Sequence, residues 1–165
     1  TCISMKSIRD FSKRLNCSHQ LYLFDCCHAG SFLEGTRSAP TKYELRMVSK
    51  PAIYGMTAVT RDQEAIETNG HGIFTKLVVD GLNGRVETGD RLYMTATELF
   101  SYVQRGVVEE AERRSRVQVP KFQPLWQMHQ KQSCDGQVLF FKEEGSAAGS
   151  AAEAAKHLRE SSNKK

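Results

Sequence analysis

One stretch constrains the fold of this chain most. It is an apolar run that stops abruptly at an acid, two thiols and an imidazole. Residues 21–30 read Leu-Tyr-Leu-Phe-Asp-Cys-Cys-His-Ala-Gly. A short apolar run bounded by turn signals predicts a buried strand of the kind found in parallel sheets. Open α/β sheets bind their ligands outside the carboxyl ends of the strands. The stretch therefore predicts a functional site directly after Phe24.

The remaining periodicities predict alternating helices and strands. The predicted elements are helices over 3–15, over 72–82 and from Thr95 onward, strands over 21–24, 52–58 and 137–141, and an extended segment over 117–124. The apolar stripes of the first two helices are Ile8, Phe11 and Leu15, and Phe74, Leu77, Val78, Gly81 and Leu82. The third helix opens with a Thr-x-x-Glu capping box. Helices alternating with strands indicate the α/β class.

Composition and charge exclude several classes of protein. No uninterrupted apolar run approaches about 18 residues, so no transmembrane helix and no membrane partner are predicted. The formal charge is only +4, and the basic residues are scattered, so no nucleic-acid partner is predicted. Five cysteines, an odd number that includes one adjacent pair, argue against a disulfide scaffold and favour a reducing, cytoplasmic location.

The adjacent cysteines, Cys26 and Cys27, are the candidate nucleophiles. A thiol attacks as the thiolate, usually activated by a histidine within hydrogen-bond reach. A tight turn after a strand-end cysteine leaves a backbone amide free to stabilise an oxyanion. Adjacent strand residues point to opposite faces, so only one of the two thiols can face the crevice. These considerations do not choose between them, and a buried cysteine that merely fills space is the structural alternative.

Zinc is the alternative chemistry for the same stretch. Cys17, His19, Cys26, Cys27 and His28 supply thiols and imidazoles within twelve residues. Adjacent ligands on a strand diverge and no Cys-x-x-Cys pair exists, so a zinc site is disfavoured and no metal is predicted.

Residues 25–32, Asp-Cys-Cys-His-Ala-Gly-Ser-Phe, resemble the nucleophile motif of metacaspases, the caspase-like cysteine peptidases of the C14 group. The family pattern, Asp-x-Cys-His-Ser-Gly, aligns the nucleophile with Cys27. Segments 53–65, 70–77 and 117–122 with 136–141 are similar to later family elements, in the family order. The resemblance covers about residues 3–142. It implies part of a caspase-like three-layer α/β sandwich, with a mostly parallel sheet and helices on both faces.

The resemblance also implies a function. The chain would belong to a cysteine endopeptidase that acts on peptide and protein substrates through an acyl-enzyme on Cys27. Asp25 and Asp62 align with acids of the pocket for the residue before the cut, which implies cleavage after Arg or Lys. Many metacaspases require calcium, but the sequence offers no ligand set that we can name, so no cofactor is predicted.

The family's general base is a histidine in a His-Gly pair upstream of the nucleophile. His19 is the sole histidine before Cys27, so we expect the base to precede Thr1 in a longer protein. The isolated chain, which starts without a methionine, would then be inactive. His71-Gly72 copies the pair downstream and is a weaker candidate. The missing upstream histidine also keeps open a non-catalytic, caspase-like scaffold or regulatory module.

The predicted domain spans residues 1–142. Within it, residues 31–50 form a long, basic connection that we interpret as a processing linker. Residues 143–165 are rich in Gly, Ser, Ala and charge, which predicts a disordered tail.

Overall fold

The computed structural model describes residues 4–15, 17–25, 50–60, 63–68, 70–125 and 136–141. Its helices are α1 (Met5–Arg14), α2 (Ile73–Asp80) and α3 (Ala96–Arg113), and its strands are β1 (His19–Phe24), β2 (Ala52–Thr57), β3 (Glu67–Thr68), β4 (His71–Gly72), β5 (Tyr93–Thr95), β6 (Lys121–Pro124) and β7 (Leu139–Phe141). This is a mixed α/β architecture. The predicted processing linker, apart from Lys50, and the predicted tail lie outside the described residues.

The largest sheet in the described part of the chain has three strands in the order β1-β2-β6. β1 runs parallel to β2, with Leu21 opposite Tyr54, whereas β6 runs antiparallel to β2, with Phe122 opposite Met56. The described sheet is therefore mixed rather than mostly parallel as expected. Pro124 has no backbone N–H to donate, which suits β6 to the outer position that it occupies.

Helices contact both faces of this sheet. On one face, Met56 and Phe122 join the main core beneath α3, where the rings of Phe100 and Phe122 stack with centroids 5.2 Å apart. On the other face, Ile8 of α1 packs against a small cluster that contains Ile53. The alternation of side chains along β2 produces this division, because residues 53 and 56 point to opposite sides of the strand.

The structure corrects the expected burial of α1 and β1. Phe11 and Leu15 of the predicted apolar stripe are exposed, Phe11 by 51%. The buried position is Ser12, whose hydroxyl donates to the buried Gln20 side chain at 2.7 Å. A paired polar side chain can thus occupy the inner face in place of the apolar stripe. Leu23 is 44% exposed because β1 is an outer strand of the described sheet.

The other elements follow their predictions more closely. Strand β2, the capping box of α3 and strand β7 form within the predicted ranges. The predicted stop of the second helix is confirmed by Gly84, whose φ of 92° favours glycine. Leu82 is exposed rather than inward-facing, because it lies in the wider turn Gly81–Arg85 that follows α2. Strand β5, which pairs with β7, was not predicted. No described helix has the length and apolarity needed to span a membrane.

Candidate functional site

The carboxyl ends of β1 and β2 meet at one edge of the sheet. Phe24 lies opposite Thr57, and the Ala58 amide donates to the Phe24 carbonyl at 2.9 Å. Asp25 follows β1 at this edge. Cys26 and Cys27 come next in the chain, but both lie outside the described residues. The structure thus shows the strand end and the acid that precede the predicted nucleophile.

Asp25 lies at the amino terminus of α2. The Thr75 hydroxyl, on the third residue of that helix, donates to Asp25 Oδ2 at 2.5 Å. The amino terminus of a helix carries a partial positive charge, which favours a nearby carboxylate. Asp25 is nevertheless exposed, and a carboxylate has more acceptor positions than one hydroxyl occupies. This acid can therefore accept further hydrogen bonds from a cationic ligand.

Gly72, which precedes the first residue of α2, gives this carboxylate its room. Its φ of −63° and ψ of 133° are open to any residue, so its backbone conformation does not require glycine. A Cβ built on Gly72 would instead collide with the Asp25 carboxylate. A side chain at this position would require the Asp25 carboxylate to shift, so glycine allows the carboxylate its close approach to α2.

A short hairpin positions the start of α2. Strands β3 and β4 pair through Thr68 and His71, and Gly70 between them has a φ of 79°. The Ile73 amide then donates to the Ile66 carbonyl at 2.9 Å. The amino terminus of α2 is thus held by a backbone contact at its first residue, in addition to the packing of its buried residues.

The buried side chain of Gln118 joins this hairpin to the end of β2. Its Nε2 donates to the Ala58 carbonyl at 3.0 Å, and its Oε1 accepts from the Ile66 amide at 2.7 Å. Gln118 is only 1% exposed, so these bonds satisfy polar groups that water does not reach. Sequence reasoning missed this role. The available signal was the Gln-Val-Pro pattern within the family resemblance, which by itself names no partner.

Asp62, the second predicted pocket acid, lies outside the described residues, but both neighbouring described positions are anchored. Gln63 Oε1 accepts from the Val119 amide at 2.8 Å and from the Thr60 amide at 3.4 Å. Thr60 lies three residues after the end of β2. The segment that carries Asp62 therefore starts from the same sheet edge as Asp25.

The two described histidines lie in different places. His19 begins β1, about 17 Å from the other end of that strand at the usual rise per residue. His71 is exposed and directly precedes Gly72, which contacts Asp25. His71 is therefore the described histidine beside the candidate site. The structure does not describe Cys27, so it gives no distance from that thiol to either imidazole.

Of the alternative zinc set, only Cys17 and His19 lie within the described residues; Cys26, Cys27 and His28 lie outside them. Cys17 lies beside the start of β1, where its thiol donates to the His19 carbonyl at 2.9 Å. Cys26 follows the opposite end of the strand. Within the described ranges, no group of three or more His, Cys, Asp or Glu side chains is arranged to hold a metal ion.

No protein-family model, curated protein or solved structure matches this chain. The helices and strands themselves show a mixed α/β protein, with the candidate site at the carboxyl edge of the sheet.

Proposed function

We propose that this protein is a cysteine endopeptidase with a caspase-like fold, and that it cleaves peptide bonds after Arg or Lys. The observation that carries the proposal is the exposed Asp25 carboxylate, two residues before Cys27, beside the amino terminus of α2. A carboxylate at the end of a β-strand, next to a candidate nucleophile, is a suitable receptor for a cationic side chain. The metacaspase-like motifs in their family order support the same conclusion.

In the proposed reaction, the Cys27 thiolate attacks the carbonyl carbon of the scissile peptide. A histidine first takes the thiol proton and then gives it to the departing amine, which leaves an acyl-enzyme. Water, deprotonated by the same histidine, attacks the thioester and releases the acid. The Cys27 backbone amide donates to the oxyanion at both stages. We expect that histidine to come from sequence before Thr1.

Specificity in this proposal comes from charge. Asp25 and Asp62 together accept hydrogen bonds from the guanidinium or ammonium group of the residue before the cut. Hydrogen bonds between ionised groups are about twice as strong as neutral ones, so a basic side chain is favoured over a neutral one. An aspartate in the same position would be repelled. The basic segment 31–50 then offers sites for self-cleavage, and the odd number of cysteines, five, supports a reducing, cytoplasmic location.

The alternative function is a non-catalytic, caspase-like scaffold or regulatory module. It is favoured by the position of His19, which lies at the end of β1 farther from Asp25 and so cannot serve as the base. The two functions differ in one requirement: the enzyme needs a histidine close to Cys27, and the scaffold does not.

The test uses the full-length gene product with fluorogenic peptides that end in Arg or Asp. We expect turnover of the Arg peptide, a loss of at least about 1000-fold in Cys27→Ala, and retained turnover in Cys26→Ala. Loss in Cys26→Ala alone would identify the other thiol as the nucleophile. Preference for the Asp peptide would contradict the basic specificity. Absence of turnover with both peptides would support the scaffold.

A further inference from the structure

We infer that Thr75 and Gly72 position the Asp25 carboxylate so that it favours a guanidinium over an ammonium group in the residue before the cut. This inference rests on the proposed function and concerns the specificity of the same site. Thr75 and Gly72 are positioning residues, because they act through Asp25 and do not contact the substrate.

The first step is the hydrogen bond itself. Thr75 Oγ1 lies 2.5 Å from Asp25 Oδ2, although 50 residues separate the two in sequence. Threonine is exposed here and is a poorer helix former than alanine, so neither burial nor helix propensity accounts for it. A hydroxyl that donates to the carboxylate fixes which oxygen faces the helix. The other oxygen, Oδ1, takes no part in that bond and keeps its acceptor positions for a ligand.

The second step is the rigidity of the support. Phe74 and Val78 of α2 are buried in the main core, and the Ile73 amide is tied to the Ile66 carbonyl. Thr75 therefore holds Asp25 from a helix that is itself fixed. A carboxylate that is already oriented loses little rotamer freedom when it binds a ligand, which strengthens binding.

The third step is the close approach at Gly72. A side chain there would displace the carboxylate from the amino terminus of α2. The backbone of Gly72 suits other residues, so replacement by alanine tests the contact with little backbone strain. Thr75 attracts the carboxylate and Gly72 leaves it room, which gives two independent ways to disturb one orientation.

The chemistry of the ligand follows from a fixed carboxylate. A guanidinium is planar and presents its N–H donors in a rigid fork, so it gains from an acceptor whose plane is set. An ammonium group is a compact charge whose donors rotate freely, and it tolerates a rotating acceptor. Fixing Asp25 should therefore raise the preference for Arg over Lys.

The experiment compares wild type, Thr75→Val, Thr75→Ser and Gly72→Ala in the full-length gene product. The matched control is Thr97→Val, which removes a hydroxyl from the first turn of α3. Substrates are peptides that differ only in Arg or Lys before the cut, with kcat and KM measured separately. Two further measurements are the melting temperature and the rate of Cys27 alkylation by iodoacetamide, a neutral reagent that needs no cation pocket.

In Thr75→Val we expect kcat/KM for the Arg peptide to fall about tenfold, mainly through KM, and the Lys peptide to change about threefold. Thr75→Ser should restore the Arg preference, and Gly72→Ala should lower it. The rate of Cys27 alkylation in Thr75→Val should match wild type. The Arg-to-Lys preference of Thr97→Val should also match wild type.

Three outcomes would overturn the inference. One is an unchanged Arg-to-Lys ratio in Thr75→Val. Another is an equal loss on both peptides together with slower alkylation and a lower melting temperature, which would mean that the hydroxyl only stabilises α2. The third is a wild-type enzyme that does not prefer the Arg peptide to the Asp peptide in the test of the proposed function. That result is read before any variant and refutes the proposed function as well.

Discussion

The amino termini of α2 and α3 differ in their polar contacts: α3 has a capping box, and α2 has no side-chain cap. At α3 the contacts are local: the Glu98 amide donates to Thr95 Oγ1 at 3.1 Å, and the Thr95 amide donates to Glu98 Oε2 at 2.9 Å. At α2 the preceding residue is Gly72, which has no side chain to cap the helix. The carboxylate there comes from Asp25, which follows β1 and lies 50 residues from Thr75 in sequence.

The difference indicates two roles. The Thr95–Glu98 contact stabilises α3, whereas the Thr75–Asp25 contact orients a carboxylate of the candidate site. Glu98 is neutralised where it lies, because Arg91 forms an ion pair with it. Asp25 bonds to a neutral hydroxyl and stays exposed, so its negative charge remains available to a ligand. Substitutions at α3 should therefore alter stability, and substitutions at α2 should alter substrate choice.

The largest expected effect is that of Asp25→Asn. Asparagine keeps an oxygen that can accept from Thr75 but removes the charge, so kcat/KM for an Arg peptide should fall on the order of 100-fold. The melting temperature should stay within a few degrees of wild type. Peptide kinetics and a thermal melt of the full-length gene product test both statements. A lower melting temperature with unchanged kcat/KM would contradict the comparison and make Asp25 a residue that only stabilises α2.

The next effect concerns Glu98→Ala. This change removes the reciprocal cap and the ion pair with Arg91, and should lower the free energy of unfolding by about 1–2 kcal/mol. Glu98→Gln can still accept from the Thr95 amide and should lose roughly half as much. Urea unfolding measures both, and the Arg-to-Lys preference should not move. A changed preference would show that α3 also influences the site.

A smaller effect should appear as acid sensitivity at α3. Partial burial raises the pKa of Glu98, but hydrogen bonds from Arg91 and Thr95 outweigh it and hold the pKa below its usual value of 4.5. A depressed pKa in the folded state means that the stabilisation is complete above the unfolded pKa and is lost as the pH falls through the folded one.

Urea unfolding of wild type and Glu98→Gln at pH 7, 5, 4 and 3 checks this sign. The stability difference between the two proteins should be largest at pH 7 and should shrink below about pH 4.5. A difference that grows on acidification would contradict the assignment.

The comparison of the two helix starts explains which features could be predicted from the sequence. The capping box of α3 was predicted because its two partners lie three residues apart, and local spacing specifies their geometry. The hydrogen bond from Thr75 to Asp25 was not predicted, because periodicity gives no information on contacts between distant segments. Gln118 was missed for the same reason.

Burial at α1 shows a second limit. The apolar stripe predicted that Phe11 faces the sheet, but the side chain of Gln20 pairs with Ser12 and makes a polar inner face possible. Strand β2 was easier to predict because it is buried along nearly its whole length. Asp25 itself was identified from the strand end and the motif, whereas its support from α2 needed the fold.

The smallest expected effect is that of His71→Ala. His71 directly precedes Gly72, so it is the described histidine closest in sequence to a residue that contacts Asp25. The proposed function does not assign the general base to His71, so His71→Ala should change kcat for an Arg peptide by less than about threefold. Loss of a general base lowers the rate about 100- to 10,000-fold, so the two roles are easily distinguished.

His19→Ala is the matched control at the opposite end of β1. A loss of that size in His71→Ala, with folding intact and His19→Ala unaffected, would transfer the proton-transfer role to His71. The amino terminus of α2 would then supply both the base and the support for the specificity residue.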